Sequence, residues 1–241
     1  MTILAETADF IAINKPSGLL SIPDRFDDKA DSALSILRKK YNEVFVVHRL
    51  DKLTSGVLLF ARTTSMHKYL SSLFENRRMG KVYTGIVIGR PSESTGTIDA
   101  PIAENIHKPG EMVVAKRGKP AMTGYKVVES FNQYSVVNFI PLTGRTHQIR
   151  VHAKYINHPL ACDPVYGDGK PVFLSSFKRN YHLGKDVLEE RPLLSRLALH
   201  ASSLSFAGTN GKAYLIDAAL PRDMYAVIQQ LKKSFSGSSR T

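Results

Sequence analysis

Two kinds of hydrophobic spacing alternate along the chain. Asp9–Asn14 reads as a strand before Lys15-Pro16-Ser17-Gly18 breaks the run, and Val44–Val47 and Val57–Ala61 are continuous apolar stretches of the kind buried strands carry. Between them, Ala33, Leu34, Leu37 and Tyr41 share one face of a helix predicted over Asp31–Tyr41. Met66, Tyr69, Leu70, Leu73 and Phe74 follow the i, i+3, i+4, i+7, i+8 rule and predict a second helix over Ser65–Asn76, with Arg77 and Arg78 at its basic end. Strand patterns resume at Lys81–Ile88, Met112–Lys116, Ala121–Glu129 and Tyr134–Ile140, which reads as a meander.

Ser94–Lys119 is rich in Gly, Pro and charge and predicts hairpins or loops on a sheet edge. Thr146–Asn157 is helical in composition, Pro159–Pro171 is a loop, and Leu197–Phe206 with Ala213–Ala218 are closing strands. A last amphipathic helix is predicted over Arg222–Lys233, using Met224, Val227, Ile228 and Leu231. No internal repeat or linker interrupts the series. The pattern predicts an α+β chain with one extended, largely antiparallel sheet: a single domain over residues 1–235 and a flexible tail over 236–241.

Composition narrows the function more than the fold. Its 43% hydrophobic and 22% charged residues place the 241-residue chain among ordinary globular proteins. Lys and Arg total 33 against 21 Asp and Glu, a net charge of +12, which predicts a polyanionic partner, nucleic acid foremost. No apolar run approaches the roughly 20 residues that span a bilayer, and the opening residues do not read as a secretion signal, so a cytoplasmic protein is expected. The single cysteine, Cys162, can form no intramolecular disulfide and reads as a small packed residue in a reducing compartment.

Two segments concentrate polar side chains beside strong structure. His48-Arg49-Leu50-Asp51-Lys52-Leu53-Thr54-Ser55-Gly56 lies between two apolar strands, where a turn needs little more than a Gly and an Asp. Gly144-Arg145-Thr146-His147-Gln148-Ile149-Arg150-Val151-His152 feeds a Gly turn into a helix start. Neighbouring cations favour an ionised Asp51, which suits a nucleophile, a general base, a metal ligand or a turn-capping aspartate in a surface salt bridge. Arg145 and Arg150 fall on different sides of a helix, so that one can face a ligand while the other faces a carboxylate.

HRLDKLTSG resembles the signature of the RluA-type pseudouridine synthases, and GRTHQIRVH is similar to their later motif in the same chain order. Asn14–Gly18, Lys81-Val82-Tyr83, His158–Asp163 with Tyr166-Gly167, and Leu199-His200-Ala201 extend the likeness from about residue 14 to residue 201. The resemblance implies the pseudouridine synthase fold, a mixed and mostly antiparallel sheet flanked by helices with RNA in a central cleft. It also implies a reaction without cofactor or metal, in which a uridine of ribosomal or transfer RNA is flipped out, detached and rejoined to its ribose through carbon 5.

On that resemblance Asp51 is the catalytic carboxylate, attacking the sugar or the ring or assisting a glycal intermediate. Tyr83 stacks near the base and takes part in removing the carbon 5 proton, and Arg150 pairs with the carboxylate. Arg49 fills the gap left by the extruded nucleotide, as a guanidinium that stacks and binds phosphate can. Ile149 supports the base or packs as helix core, and Arg145 contacts phosphate or positions the motif. His48 and Thr54 complete the candidate substrate-binding set, though with Ser55 and Gly56 they also read as architecture of the turn. Many relatives carry a small amino-terminal RNA-binding appendage; here the motif starts close to Met1, so recognition is expected from the catalytic domain itself. Candidate surface cations are Arg77, Arg78, Lys81, Lys108, Lys116, Arg117, Lys119, Lys178 and Arg179.

Rival readings are less supported. His147, His152 and His158 lack zinc-ligand spacing. Ser55, His48 and Asp51 supply the residue types of a hydrolase triad but sit in one short loop without a G-x-S-x-G elbow. No glycine-rich nucleotide-cofactor loop is present. A catalytically silent basic RNA-binding protein remains the alternative, and the oligomeric state is not legible.

Overall fold

The computed structural model describes residues 1–24, 30–178, 181, 189–209 and 211–238, with side chains as far as Phe235. Along the first part of the chain run β1 (Thr2–Glu6), β2 (Phe10–Lys15), α1 (Ala33–Arg38), β3 (Phe45–Val46), β4 (Ser55–Ala61), α2 (Thr64–Glu75), β5 (Gly80–Ile88) and β6 (Thr95–Asp99). There follow β7 (Ile102–Glu104), β8 (Met112–Val114), β9 (Met122–Ser130), β10 (Tyr134–Pro141), α3 (Gln148–Tyr155), β11 (Leu199–Ala207), β12 (Ala213–Asp217) and α4 (Arg222–Ser238). The chain forms two compact units, residues 1–83 with 200–219, and residues 84–199 with 220–241, so it changes unit within β5, at the start of β11 and once more before α4.

In the first unit, β1, β2, β4, β11 and β12 lie side by side in that order, and β3 also pairs with β4. The neighbours are antiparallel except β4 and β11, which run parallel with His200 opposite Ser55 and Ala201 opposite Gly56. All seven positions of β4 are buried, because helices cover both faces. Val57, Leu59 and Ala61 pack with Met66, Leu70 and Leu73 of α2, while Leu58 and Phe60 pack with Ala33, Leu34 and Leu37 of α1. That double cover is why the sequence of β4 is uninterruptedly apolar rather than alternating. Ser32 and Ser35 form a reciprocal capping box at the start of α1, and the Thr63 hydroxyl caps α2 through Met66 N.

The second unit holds the latter half of β5, then β10, β9 and β6 in spatial order, with β9 antiparallel to both of its neighbours. Met224, Val227, Ile228 and Leu231 of α4 join Ile86, Val136 and Cys162 in one core cluster. The β7–β8 hairpin belongs to another, where Ile102 meets Val151 of α3 and Tyr166. Of the hairpins or loops predicted between Ser94 and Lys119, the β7–β8 hairpin is present as a two-stranded sheet of its own, and β6 forms an edge strand against β9.

Boundaries differ from the sequence pattern for identifiable reasons. The Val44–Val47 run supplies only Phe45 and Val46 as strand. α3 starts at Gln148 rather than Thr146, because its N-cap residue His147 takes a left-handed conformation, φ 54°. Helix α4 continues past Lys233 to Ser238, taking up the first part of the stretch read as a tail; residues 239–241, like Arg179, lie outside the described residues. Strand β1 has a mostly exposed edge pattern that gives little apolar signal.

Candidate active site

The loop from His48 to Thr54 joins β3 to β4, and its backbone is fixed from the segment that follows β2. Ser21 Oγ donates to Leu50 O at 2.8 Å and accepts from Leu50 N at 3.0 Å, Gly18 N donates to Lys52 O at 2.8 Å, and Ser17 Oγ donates to Leu53 O at 2.6 Å. Thr54 N closes the turn on Asp51 O at 3.1 Å. Every carbonyl from Leu50 to Leu53 thus accepts a hydrogen bond. Lys15 is fully buried, and its ammonium donates to the carbonyls of Pro16, Leu19 and Lys52 at 3.1, 2.7 and 3.2 Å. A lysine that accepts no hydrogen bond and offers three donors suits a cluster of inward-facing carbonyls. The early Asn14–Gly18 motif is therefore the cradle of the Asp51 turn, a role its residue types alone do not reveal.

The far end of the loop is fixed by β11. Gly56 has φ +117°, and a Cβ there would lie 2.6 Å from Ala201 N, so close pairing of β4 with β11 requires glycine. Ser55 Oγ donates to His200 Nδ1 at 2.9 Å, since His200 Nε2 carries the proton given to Ala218 O at 3.1 Å. Ser55 is thereby committed to His200, not to His48, which removes the triad reading.

His48 accepts from Leu59 N through Nε2 at 3.0 Å and stacks on Phe74 with ring centroids 4.6 Å apart. Desolvation, aided by the positive charge of Lys81, brings its pKa from the ordinary 6.5 down to about 3. The folded state therefore holds His48 neutral while the unfolded chain takes up a proton near pH 6.5, so this residue's contribution to stability is present above that pH and is lost progressively as pH falls toward 3. Thermal midpoints between pH 7 and 4 should fall less steeply in His48→Gln, whose amide oxygen can still accept from Leu59 N; parallel profiles for the two proteins would contradict the assignment.

Thr54 is 2% exposed, so it and His48 stand in the framework of the turn. Arg49 is exposed and bonds to no other described residue, and Asp51 is half-buried. Tyr83 packs partly buried on the cluster that contains Leu50, Leu58 and Ala201. Its pKa is raised well above that of an ordinary phenol, first by desolvation and then by the negative charge of Asp51. These two side chains are thus electrostatically coupled within one unit.

The later motif belongs to the second unit. Thr143 Oγ1 donates to Gln148 Oε1 at 2.7 Å, Gln148 Nε2 donates to Met122 O and to Thr123 Oγ1, both at 2.9 Å, and Thr123 Oγ1 donates to His152 Nδ1 at 2.9 Å. His152 Nε2 ends the chain on Ala100 O at 2.9 Å. Desolvation lowers the pKa of His152, consistent with the neutral ring this chain of donors needs. Arg150, 3% exposed, forms a bidentate pair with Asp163: Nε to Oδ2 at 2.8 Å and Nη2 to Oδ1 at 2.7 Å. Its guanidinium also lies 4.8 Å from the centroid of Tyr166, whose hydroxyl accepts from Met112 N and donates to His147 Nδ1, both at 2.8 Å. Ile149 is 6% exposed. Arg145 donates from Nε to Pro120 O at 3.0 Å, and Arg145 N donates to Gln148 Oε1 at 3.0 Å.

Asp51, Tyr83, Arg49, His48 and Thr54 thus belong to one unit, and Arg145, Ile149 and Arg150 to the other. Sequence reasoning gave no role to Asp163 or Tyr166, although both lie in segments that carried the family likeness. Their signal is chemical: a buried arginine needs a carboxylate, and an aspartate followed by Pro, Val and Tyr can accept from amides beyond the proline. The histidines of the zinc reading are engaged elsewhere, His158 through Nδ1 with Ile88 O at 3.0 Å. Among the described residues no group of three or more His, Cys, Asp or Glu could hold a metal ion, and no helix is long and apolar enough to cross a membrane.

The fold and these motifs define a class. The chain belongs to the RNA pseudouridylate synthase family, whose model matches residues 9–155, and is an isomerase that makes pseudouridine in RNA. It is 33% identical to the Dual-specificity RNA pseudouridine synthase RluA of Vibrio vulnificus (strain CMCP6), over 99% of this chain and 90% of that protein. It is 38% identical to the Ribosomal large subunit pseudouridine synthase D of Borreliella burgdorferi, over 79% of this chain and 64% of that one. Among solved structures, Human RNA Pseudouridylate Synthase Domain Containing 4 matches with a TM-score of 0.71 and 26% identity, covering 96% of this chain and 93% of its own. The α+β pseudouridine synthase fold expected from the sequence is the fold of this protein.

Proposed function

We propose that Asp51 is the catalytic carboxylate of this pseudouridine synthase, that Tyr83 and Arg150 complete the catalytic set, and that the substrate is a uridine of ribosomal or transfer RNA. The observation that carries the assignment is the Asp51 turn itself: four consecutive carbonyls are tied down, so the carboxylate stands on a backbone that need not reorganise during reaction. The net reaction breaks the bond from N1 to C1′, forms one from C5 to C1′, releases the C5 proton and returns a proton to N1. Atoms balance without an external redox equivalent or group donor. Asp51 serves this sequence as nucleophile toward the sugar or the ring, or as the base that assists a glycal.

Tyr83 begins as a phenol, and on the two covalent routes its environment changes during the cycle. When the Asp51 carboxylate is esterified, its negative charge disappears, and one of the two causes that raise the Tyr83 pKa disappears with it. Ionisation of the phenol then costs less, so Tyr83 can pass its own proton to solvent and stand as the phenolate base at the stage when the C5 proton must leave. Arg49 fills the stack behind the flipped nucleotide, Ile149 supports the base, Arg145 binds phosphate, and His48 and Thr54 keep the turn in shape. The test is incubation with RNA transcribed from uridine tritiated at carbon 5, following tritium release and strand length together. Release from intact RNA is expected. Strand cleavage would indicate a hydrolase, and binding without release would indicate a silent RNA-binding protein.

A further inference from the structure

The β7–β8 region carries a second basic feature, built on the edge of the later motif. After β8 the chain makes a turn in which Gly118 N donates to Ala115 O at 2.8 Å and Lys119 exchanges backbone hydrogen bonds with Ile102 at 2.8 and 2.9 Å. Gly118 is pressed against β7 so closely that a Cβ would lie 2.6 Å from Ile102 C, and no larger residue fits without moving the strand. The turn is therefore a fixed platform. It presents Lys116, Arg117 and Lys119 to solvent, all three exposed.

Carboxylates of the same hairpin are used elsewhere. Glu111 pairs with Lys108 at 3.6 Å, and Glu104 Oε1 accepts from Gly110 N at 3.3 Å, both at the opposite tip. Among the described residues, no carboxylate pairs with Lys116, Arg117 or Lys119. The next residue along, Pro120, accepts from Arg145 Nε at 3.0 Å, which ties a motif arginine to the end of the turn. Arg145 is itself anchored through its backbone to Gln148 at 3.0 Å. A four-cation cluster is thus held by backbone geometry at one end and by the buried α3 network at the other.

We propose that Lys116, Arg117, Lys119 and Arg145 form a phosphate-binding ridge that grips the substrate RNA backbone outside the reacting nucleotide. This rests on the reading of the chain as an RNA pseudouridine synthase with its catalytic residues as assigned above. Cations on a fixed turn lose little conformational freedom on binding, so each phosphate contact shows mainly as counterion release. The ridge sets affinity and register, not chemistry.

The experiment compares the intact protein, Lys116→Gln/Arg117→Gln/Lys119→Gln, and a control of equal charge change, Lys39→Gln/Lys40→Gln/Lys233→Gln. Binding to a fluorescein-labelled RNA stem–loop is titrated from low to high salt, and tritium release is measured on RNA tritiated at uridine carbon 5. The ridge triple should make the slope of log affinity against log salt shallower by about 2 and raise KM roughly tenfold or more, with kcat within about twofold. The control should leave the slope within about half a unit. Adding Arg145→Gln should flatten it by about one more. Equal slopes in the triple and the intact protein, or an equal loss in the control, would overturn the ridge while leaving the enzymatic reading intact. If the intact protein binds RNA without releasing tritium, the enzymatic reading fails and the slopes alone decide the ridge. If it binds no RNA, both fall.

Discussion

Asp51→Asn is expected to abolish pseudouridine formation while leaving a folded protein that still binds RNA. Single-turnover tritium release should drop by about four orders of magnitude or more, the scale on which removing a covalent catalytic group acts. Asparagine matches aspartate in shape, and the hydrogen bonds that hold the turn run through the carbonyls of Leu50, Asp51, Lys52 and Leu53, which the substitution keeps. The thermal midpoint should therefore move by no more than about 2 °C, in the range of a substitution without packing consequences. What changes is the charge and the nucleophile. An amide oxygen is a poor nucleophile and a poor base, and it no longer acts on Tyr83, whose pKa should fall because one of its two raising causes is gone. Full activity in Asp51→Asn would remove this residue from the mechanism. A large fall in thermal midpoint together with lost activity would make the effect one of folding, which Asp51→Glu, with the charge retained, would then separate from chemistry.

The turn that carries Asp51 was legible in the sequence because it violates economy: too many polar side chains follow a buried strand for a mere connection. Its support was not. Lys15, Ser17 and Ser21 each reach a carbonyl of this turn far along the chain, and nothing in their residue types names those partners. The parallel pairing of β4 with β11 is equally silent in sequence, since Ser55 and His200 lie 145 residues apart and meet only through the fold. Helix α2 was legible because one face is buried and periodicity records burial: Met66, Leu70 and Leu73 are the residues that meet the core. The start of α3 was not, because His147 adopts a left-handed conformation that is uncommon for any residue other than glycine. The polar density of that motif invited a ligand-facing reading, and much of it instead satisfies a buried network among Thr143, Gln148, Thr123 and His152. The two arginines do not share a helix as expected, because Arg145 precedes the left-handed His147 and only Arg150 lies on α3; the carboxylate that Arg150 meets in its own unit is Asp163.

Asp163→Ala should be strongly destabilising to the second unit. The carboxylate is fully buried and accepts four hydrogen bonds, two from Arg150 and one each from Val165 N and Tyr166 N at 2.9 and 3.0 Å. Burial pushes its pKa up, but the Arg150 hydrogen bond and charge and the two amides outweigh that, and the net shift is downward. The pair's contribution is therefore present above the ordinary carboxylate range and lost as pH falls through the lowered value, which places it on the acid limb of the stability curve. Truncation to alanine leaves a guanidinium 3% exposed and without this partner, at a cost of about 3–5 kcal/mol. For a chain of this size that is a fall of roughly 10 °C in thermal midpoint, measurable by calorimetry. The penalty belongs to a buried charge deprived of this carboxylate rather than to the lost pair, so Arg150→Met/Asp163→Leu should recover most of the stability. It should recover none of the activity, because Arg150 is assigned to the catalytic set. A double variant as unstable as Asp163→Ala would locate the cost in packing instead, and an active double variant would take Arg150 out of the chemistry while leaving its structural pairing with Asp163 in place.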